Sequence, residues 1–268
     1  MKVVLFCGGQ GTRLREYSET IPKPMVKIGY RPILWNVMRY YAHFGIKDFI
    51  LALGYKGDVI KNYFVNYDET ISNDFVYTRG GKDIELLTSD IEDWRITFVD
   101  TGMHANIGTR LLKVKEHLEG EEMFMANYAD GLTDLDLNIM IDGFRSRPEM
   151  VGSFMMYRPT ASFHVVQAES DGLVKSISPI SKAKVWYNTG YFLLRPEIFD
   201  YMNCGDELVE KPFQKLIREQ RLWAYHHRGF WQSMDTFKDK MLLDDLESKG
   251  ETYWEVWKHK SPVINQLV

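Results

Sequence analysis

Five consecutive apolar residues, Val3-Val4-Leu5-Phe6-Cys7, run without a polar break into Gly8-Gly9-Gln10-Gly11-Thr12-Arg13-Leu14, and Pro22-Lys23-Pro24-Met25-Val26-Lys27 follows a few residues later. A buried strand that delivers a glycine loop at its carboxyl end is how a doubly wound α/β sheet opens, and few other folds accommodate it. Glycines at 8, 9 and 11 remove Cβ atoms, so the backbone there can adopt positive φ and bring several N–H groups close to one anion. Arg13 adds a planar fork of donors matched to phosphate oxygens, and Lys23 adds a compact charge on a flexible stem. Together they predict a polyphosphate site.

Two familiar loops do not fit. A Walker-type loop places Lys-Ser or Lys-Thr directly after its last glycine, whereas Thr12-Arg13 follows Gly11. A dinucleotide fingerprint wants Gly or Ala at position 14, where Leu14 stands. A plain glycine-rich strand-to-helix turn would explain the glycines but neither Arg13 nor Lys23.

Strand and helix signals alternate through the first half. Ile33 to Phe44 has helical periodicity, Phe49 to Leu53 reads as a buried strand, Lys56 to Asn66 as a helix, and Ile96 to Asp100 and Met123 to Ala126 as further strands. Gly8, Gly54, Thr101 and Asp130 each stand just after a strand, where ligands collect in such sheets. Tyr67 to Asp93 is irregular, with Arg79-Gly80-Gly81-Lys82 as a turn. Beyond Asp130, strands dominate: Val151 to Tyr157, Phe163 to Ala168, Leu173 to Ser178 and Trp186 to Leu194, with few helices between. Helical signals return at Leu208 to Glu219 and Thr236 to Lys249.

The 268 residues suffice for one large α/β domain, and no low-complexity linker divides them. With 33 basic against 37 acidic residues the net charge is −4, which excludes a global footprint for nucleic acid and leaves an anionic ligand to a local basic cluster. Two cysteines, Cys7 and Cys204, make a disulfide framework unlikely in composition terms. The short apolar run after Met1-Lys2 is too brief for a signal sequence and no long uncharged apolar stretch follows, so the expectation is a cytoplasmic protein without a membrane partner.

The loop Gly8 to Leu14 with Lys23-Pro24-Met25 resembles the signature of the sugar-1-phosphate nucleotidyltransferases. Tyr128-Ala129-Asp130-Gly131, Thr133-Asp134-Leu135-Asp136, Thr101-Gly102, Gly108-Thr109-Arg110-Leu111 and Gly229-Phe230-Trp231-Gln232-Ser233-Met234-Asp235-Thr236 are similar to the branch that makes CDP-glucose from CTP and glucose 1-phosphate. The resemblance spans nearly the whole chain. It implies a Rossmann-like, mainly parallel mixed sheet of the nucleotide-diphospho-sugar transferase type, in one domain. Residues 1–135 would form a nucleotide-binding half, 136–235 a smaller β-rich acceptor-binding half, and 236–268 a C-terminal helical segment.

The resemblance also assigns roles. Asp130 and Asp235 would hold Mg²⁺, Arg13 would hold the departing pyrophosphate, and Lys23 would bridge phosphates at the reacting centre. Gly8, Gly9, Gly11, Thr12, Thr101 and Arg110 would complete the nucleotide site, with Lys27 secondary. The reaction is displacement of pyrophosphate from CTP by an acceptor phosphate. That oxygen is already ionised, so no general base is needed, and the sequence offers no nucleophile triad. Two alternatives stay open. Asp235 precedes a helical run and would serve equally as its N-cap, and Arg110 would serve as an exposed helix residue.

The acceptor half departs from the family. Where relatives carry Glu-Lys-Pro this chain has Ser178-Pro179-Ile180-Ser181-Lys182-Ala183-Lys184, and Arg-Phe-Gly becomes Ser162-Phe163-His164. His164, Lys182, Asn188 and Thr189 are the acceptor-binding candidates, Lys184 standing behind Lys182. His164 has a packed-residue alternative, and His226-His227-Arg228 reads as structural. These departures admit a different phosphorylated acceptor, or another pyrimidine triphosphate. They also admit a non-catalytic nucleotide-binding homologue, which intact Arg13, Lys23, Asp130 and Asp235 oppose. Asp134-Leu135-Asp136 has the letters of a glycosyltransferase metal motif. Association into a homo-oligomer is expected from the family, and Trp186, Tyr187, Trp254 and Trp257 would serve either an interface or a core.

Overall fold

A computed structural model describes residues 1–11, 20–158, 163–183 and 185–258. Thr12, Arg13 and Lys184 therefore lie outside the described residues.

Strand β1 (Lys2–Phe6) is flanked on one side by β2 (Asp48–Leu53), reached through helix α1 (Ile33–His43). Helix α2 (Gly57–Val65) is followed by a hairpin, β3 (Phe75–Thr78) and β4 (Asp83–Leu86), before the chain returns to the sheet as β5 (Arg95–Asp100). Helix α3 (Ile107–Lys113) then leads to β6 (Phe124–Asn127), on the other side of β1. The second half supplies β7 (Gly131–Thr133), α4 (Leu137–Arg145), β8 (Gly152–Tyr157), a hairpin of β9 (His164–Ala168) and β10 (Val174–Pro179), and β11 (Tyr187–Leu194). It continues with α5 (Lys211–Arg218), β12 (Leu222–His227), β13 (Trp231–Ser233) and α6 (Phe237–Ser248).

Seven of these strands form one sheet in the order β12-β8-β11-β6-β1-β2-β5. All neighbours pair in parallel except β11, which runs antiparallel to both β6 and β8. The expected mainly parallel mixed sheet is what forms, and residues from both sides of position 135 build it.

Alternation along β1 divides the core. Val3, Leu5 and Cys7 pack with α1 and α4 on one face, whereas Val4 and Phe6 pack with α3 and α5 on the other. Both faces are covered, so every side chain from Val3 to Cys7 is buried, as an apolar run without alternation demands. Helix α1 is buried almost all round. Trp254 is 2% exposed and packs on Phe230, and Trp257 meets Trp35 edge-on, so these two tryptophans serve the core. No helix among the described residues is long and apolar enough to cross a membrane.

The irregular excursion has a firm root and an exposed tip. Buried Arg31 stacks on Tyr67 and donates to Ser72, to the Tyr63 hydroxyl and to the Asp68 carbonyl, while Asp90 accepts from Tyr67 and Ser72. The turn between β3 and β4 is the expected one, with Arg79, Gly80 and Gly81 all at positive φ. Helices α3 and α4 and strand β12 were not foreseen. α3 spans only seven residues and contains Gly108 and Thr109, both weak helix formers. α4 owes its start to Asp136, whose carboxylate accepts from the Asn138 N–H. After α6 the described chain continues to Lys258 in turns, so the expected C-terminal helical segment holds one described helix.

Candidate active site

The carboxyl ends of β1 and β6, with the segments that follow β1, β5 and β6, open on one cleft of about 410 Å³, a size suited to a nucleotide-scale ligand. Phe6, Gly9 and Gly11 come from the end of β1, and Lys23 and Pro24 from the following turn. Ala105, Asn106, Ile107 and Arg110 come from the start of α3, Tyr128 and Asp130 from the end of β6, and Glu207 and Asp235 from the second half.

The glycine loop needs its glycines for two reasons. Gly11 sits at φ +61°, and a Cβ on Gly8 would fall 2.0 Å from the Arg110 guanidinium. Arg110 is 3% exposed, so the exposed-helix alternative is excluded. Its guanidinium donates to the carbonyls of Gly8 (2.9 Å), Leu53 (3.1 Å) and Gly102 (2.9 Å) and to the Thr101 hydroxyl (2.6 Å). It thereby ties the ends of β1, β2 and β5 together beneath the cleft. The Thr101 hydroxyl in turn donates to the Leu53 carbonyl, so Thr101 supports the floor from within.

Lys23 stands in a single 3₁₀ turn, Lys23–Met25, whose Pro24 and Met25 are buried and fix its base. Its ammonium lies 2.5 Å from Asp130 Oδ2 and 2.8 Å from Asp235 Oδ1. Burial disfavours the charged amine, but the fields and hydrogen bonds of the two carboxylates outweigh that cost and raise its pKa above the usual lysine value. Lys27, by contrast, is exposed on a two-residue bridge.

Asp130 and Asp235 are 105 positions apart in sequence, and a short ribbon brings them together. β7 pairs antiparallel with β13, Gly131 opposite Ser233, and the Met234 N–H donates to the Asp130 carbonyl at 2.8 Å. Asp130 follows Ala129, a non-glycine residue at φ +62° whose N–H is held by the Asn127 side chain at 2.7 Å. That left-handed turn costs on the order of 1 kcal/mol and sets the carboxylate's direction. The N-cap of α6 is Thr236, in a reciprocal capping box with Asp239, so the capping role weighed for Asp235 belongs to its neighbour. Among the described residues no group of three or more His, Cys, Asp and Glu gathers as a metal site. Two carboxylates converging on one cation are what the protein offers, and a hard divalent ion bound to phosphates needs no more than that.

The Asp134-Leu135-Asp136 letters are engaged in structure. Asp134 accepts from the Phe230 N–H at 2.7 Å and lies 3.0 Å from buried His227, while Asp136 caps α4. His227 is structural, as its company suggested.

None of the four acceptor candidates lines this cleft, although Asn188 hydrogen-bonds the side chain of Tyr128, which does. His164 is exposed at the start of β9, opposite Pro179, and Lys182 is exposed at the end of a 3₁₀ turn. Thr189 is buried, its hydroxyl donating to the Met155 carbonyl, and exposed Asn188 accepts from the Gly190 N–H. Gly190, at φ +79°, leaves room for the Tyr128 ring, which would be 2.2 Å from a Cβ there. Burial pushes the Tyr128 hydroxyl up to about 12.

Several cleft residues were not among the candidates, Tyr128 and Glu207 among them. Tyr128 stood inside a quoted motif, but an aromatic after a strand carries no signal of its own. Glu207 lies in an irregular stretch of the second half, and nothing local marks it. Its place is set by a long-range contact: the backbone of Asp206 approaches Gly108 so closely that a Cβ would lie 2.1 Å from the Asp206 carbonyl oxygen.

The family model described as nucleotidyl transferase matches residues 2–244. The chain is 38% identical over 260 residues to "Glucose-1-phosphate cytidylyltransferase" of Salmonella typhi, covering 96% of this chain and 100% of that protein. It is 34% identical over 259 residues to "Probable glucose-1-phosphate cytidylyltransferase" of Bacillus subtilis (strain 168), with 96% and 100% covered. Among solved structures it is similar to a UDP-glucose pyrophosphorylase complexed with UDP-glucose (TM-score 0.67, 18% identity, 93% of this chain and 98% of that one). HddC from Yersinia pseudotuberculosis is similar too (TM-score 0.63, 20% identity, 91% and 98%). At such identities the structures share the fold.

Proposed function

Because the chain belongs to the nucleotidyl transferase family, we propose that it transfers CMP from CTP to a sugar 1-phosphate, most simply α-D-glucose 1-phosphate, giving CDP-glucose and pyrophosphate. The observation that carries this reading is the convergence of Lys23, Asp130 and Asp235 at one side of a nucleotide-sized cleft. The two full-length relatives named above support the choice of CTP and glucose 1-phosphate.

The chemistry asks little beyond positioning. The acceptor phosphate brings its own ionised nucleophile, so the protein must bring two polyanions together and offset their repulsion. Asp130 and Asp235 are the residues that would hold Mg²⁺, which when bound supplies charge neutralisation at the reacting phosphates. Lys23, already at that point, would turn its ammonium to the α-phosphate as the new bond forms. Arg13 would hold the leaving pyrophosphate, and the N–H groups of the Gly8–Gly11 loop would cradle the triphosphate.

A panel of triphosphates against phosphorylated acceptors, read by pyrophosphate release, tests this. The expected result is turnover with CTP and glucose 1-phosphate that depends on Mg²⁺ and falls at least a hundredfold in Asp130→Asn, the scale of a lost electrostatic contact at the reacting centre. Full activity in that variant overturns the metal assignment. A different phosphorylated acceptor is the second reading. Ser178-Pro179-Ile180 in place of the family's Glu-Lys-Pro favours it, and the same panel decides.

Cys7 and Cys204 are both free, which suits a cytoplasmic protein. Exposed apolar side chains on the β3–β4 hairpin, Tyr77 at 62% and Ile84 at 52%, support a homo-oligomer, which sedimentation tests directly.

A further inference from the structure

Resting on the reading that a nucleoside triphosphate fills the cleft, we infer that Glu207 selects the base, by accepting a hydrogen bond from the exocyclic amine of cytosine. The cleft has two differently charged walls. Lys23, Asp130 and Asp235 occupy one and fix where the phosphates lie, so the base belongs toward the other, formed by Ala105, Asn106, Ile107, Arg110 and Glu207.

On that second wall no polar side chain other than Glu207 is an acceptor alone. The Arg110 guanidinium donates to four carbonyls and the Thr101 hydroxyl at hydrogen-bond distance. Asn106 donates through Nδ2 to the Gly205 carbonyl and accepts through Oδ1 from the Thr109 N–H. Each end of its amide thus carries one bond, and the group presents both a donor and an acceptor. Ala105 and Ile107 offer no polar side-chain atom.

Glu207 differs. Its Oε2 accepts from the Ile107 N–H at 3.3 Å and its Oε1 from the Leu208 N–H at 3.2 Å. Each carboxylate oxygen has a second lone pair, so two bonds leave acceptor capacity on a side chain that lines the cleft. The same two bonds fix its rotamer. Its backbone is equally constrained, since Gly108 admits the Asp206 carbonyl and Asn106 holds Gly205.

An acceptor without a proton discriminates in one direction. Cytosine presents an amine at position 4, whereas uracil and thymine present a carbonyl there, and a carbonyl facing a carboxylate is repelled and leaves a polar group unpaired. The adenine amine would satisfy the same bond, so the discrimination at Glu207 is among pyrimidines.

The test crosses Glu207→Gln and Glu207→Asp with CTP, UTP and the triphosphate of the pyrimidin-2-one ribonucleoside, which lacks the 4-amino group. Pyrophosphate release and equilibrium nucleotide binding are both measured, on variants whose circular dichroism matches the wild type. The expected result is a CTP-to-UTP ratio of kcat/KM that falls roughly tenfold or more in Glu207→Gln, the loss lying with CTP, since a hydrogen bond to a charged group is involved. With the pyrimidin-2-one nucleotide, wild type and variant should bind equally. An unchanged ratio overturns the inference, and so does an equal loss with all three nucleotides, which would make Glu207 a ribose or packing residue. A wild-type enzyme that uses no CTP at all overturns the proposed function instead.

Discussion

At the scale of single residues, the site depends on side chains held by their neighbours' shapes as much as by bonds. Gly190 is the clearest case, because it combines positive φ with a Tyr128 ring 2.2 Å from where a methyl group would stand. Gly190→Ala is expected to lose about 2 kcal/mol of stability, the sum of left-handed strain and overpacking, and to weaken nucleotide binding by driving Tyr128 into the cleft. Urea denaturation and nucleotide titration check the two effects separately. Residues whose chemistry is announced by type and motif were legible here: Lys23, Asp130 and Asp235 meet where the sequence placed them. Arg110 was legible in position but not in partners, since the carbonyls it binds belong to three separate strands. Glu207 was illegible, because only the fold brings position 207 beside position 107.

At the scale of elements, the juxtaposition of the two aspartates rests on the β7–β13 ribbon and on the start of α6. The capping box of Thr236 and Asp239 fixes where that helix begins, with the N-cap one residue after Asp235. Thr236→Ala should cost about 1 kcal/mol, as lost N-caps do, and loosen Asp235 as well. A lower thermal midpoint together with a higher Mg²⁺ requirement is the expected pair of readings, and an unaltered Mg²⁺ requirement would separate the cap from the site. Strands with long apolar runs, such as β1 and β2, could be read from sequence because burial on both faces leaves no alternation, and α1 from its helical period. The three-residue strands β7 and β13 could not. Three residues hold no period, and their pairing partner lies about a hundred positions away.

At the scale of the whole molecule, several buried groups make the fold sensitive to alkali. Burial holds the hydroxyls of Tyr63 and Tyr128 up to about 12, and the ammonium of Lys23 is raised as well. Groups that keep their protons longer when folded than when unfolded contribute stability below the unfolded value and withdraw it as pH climbs through the folded one. Stability should therefore hold level up to about pH 10 and decline between about pH 10 and 12. Denaturant titrations at constant ionic strength check this, and a flat profile across that window would contradict it. The sheet itself is shared, since β8, β11 and β12 come from the second half and β1, β2, β5 and β6 from the first. Folding the second half of the chain is thus a condition for completing the sheet. The ammonium lodged between Asp130 and Asp235 means that these two carboxylates do not confront each other across an empty gap while the protein waits for substrate. On the proposed function, loading such a site would be an exchange of partners rather than an addition: aspartates that took up a new cation would free the lysine for the phosphate.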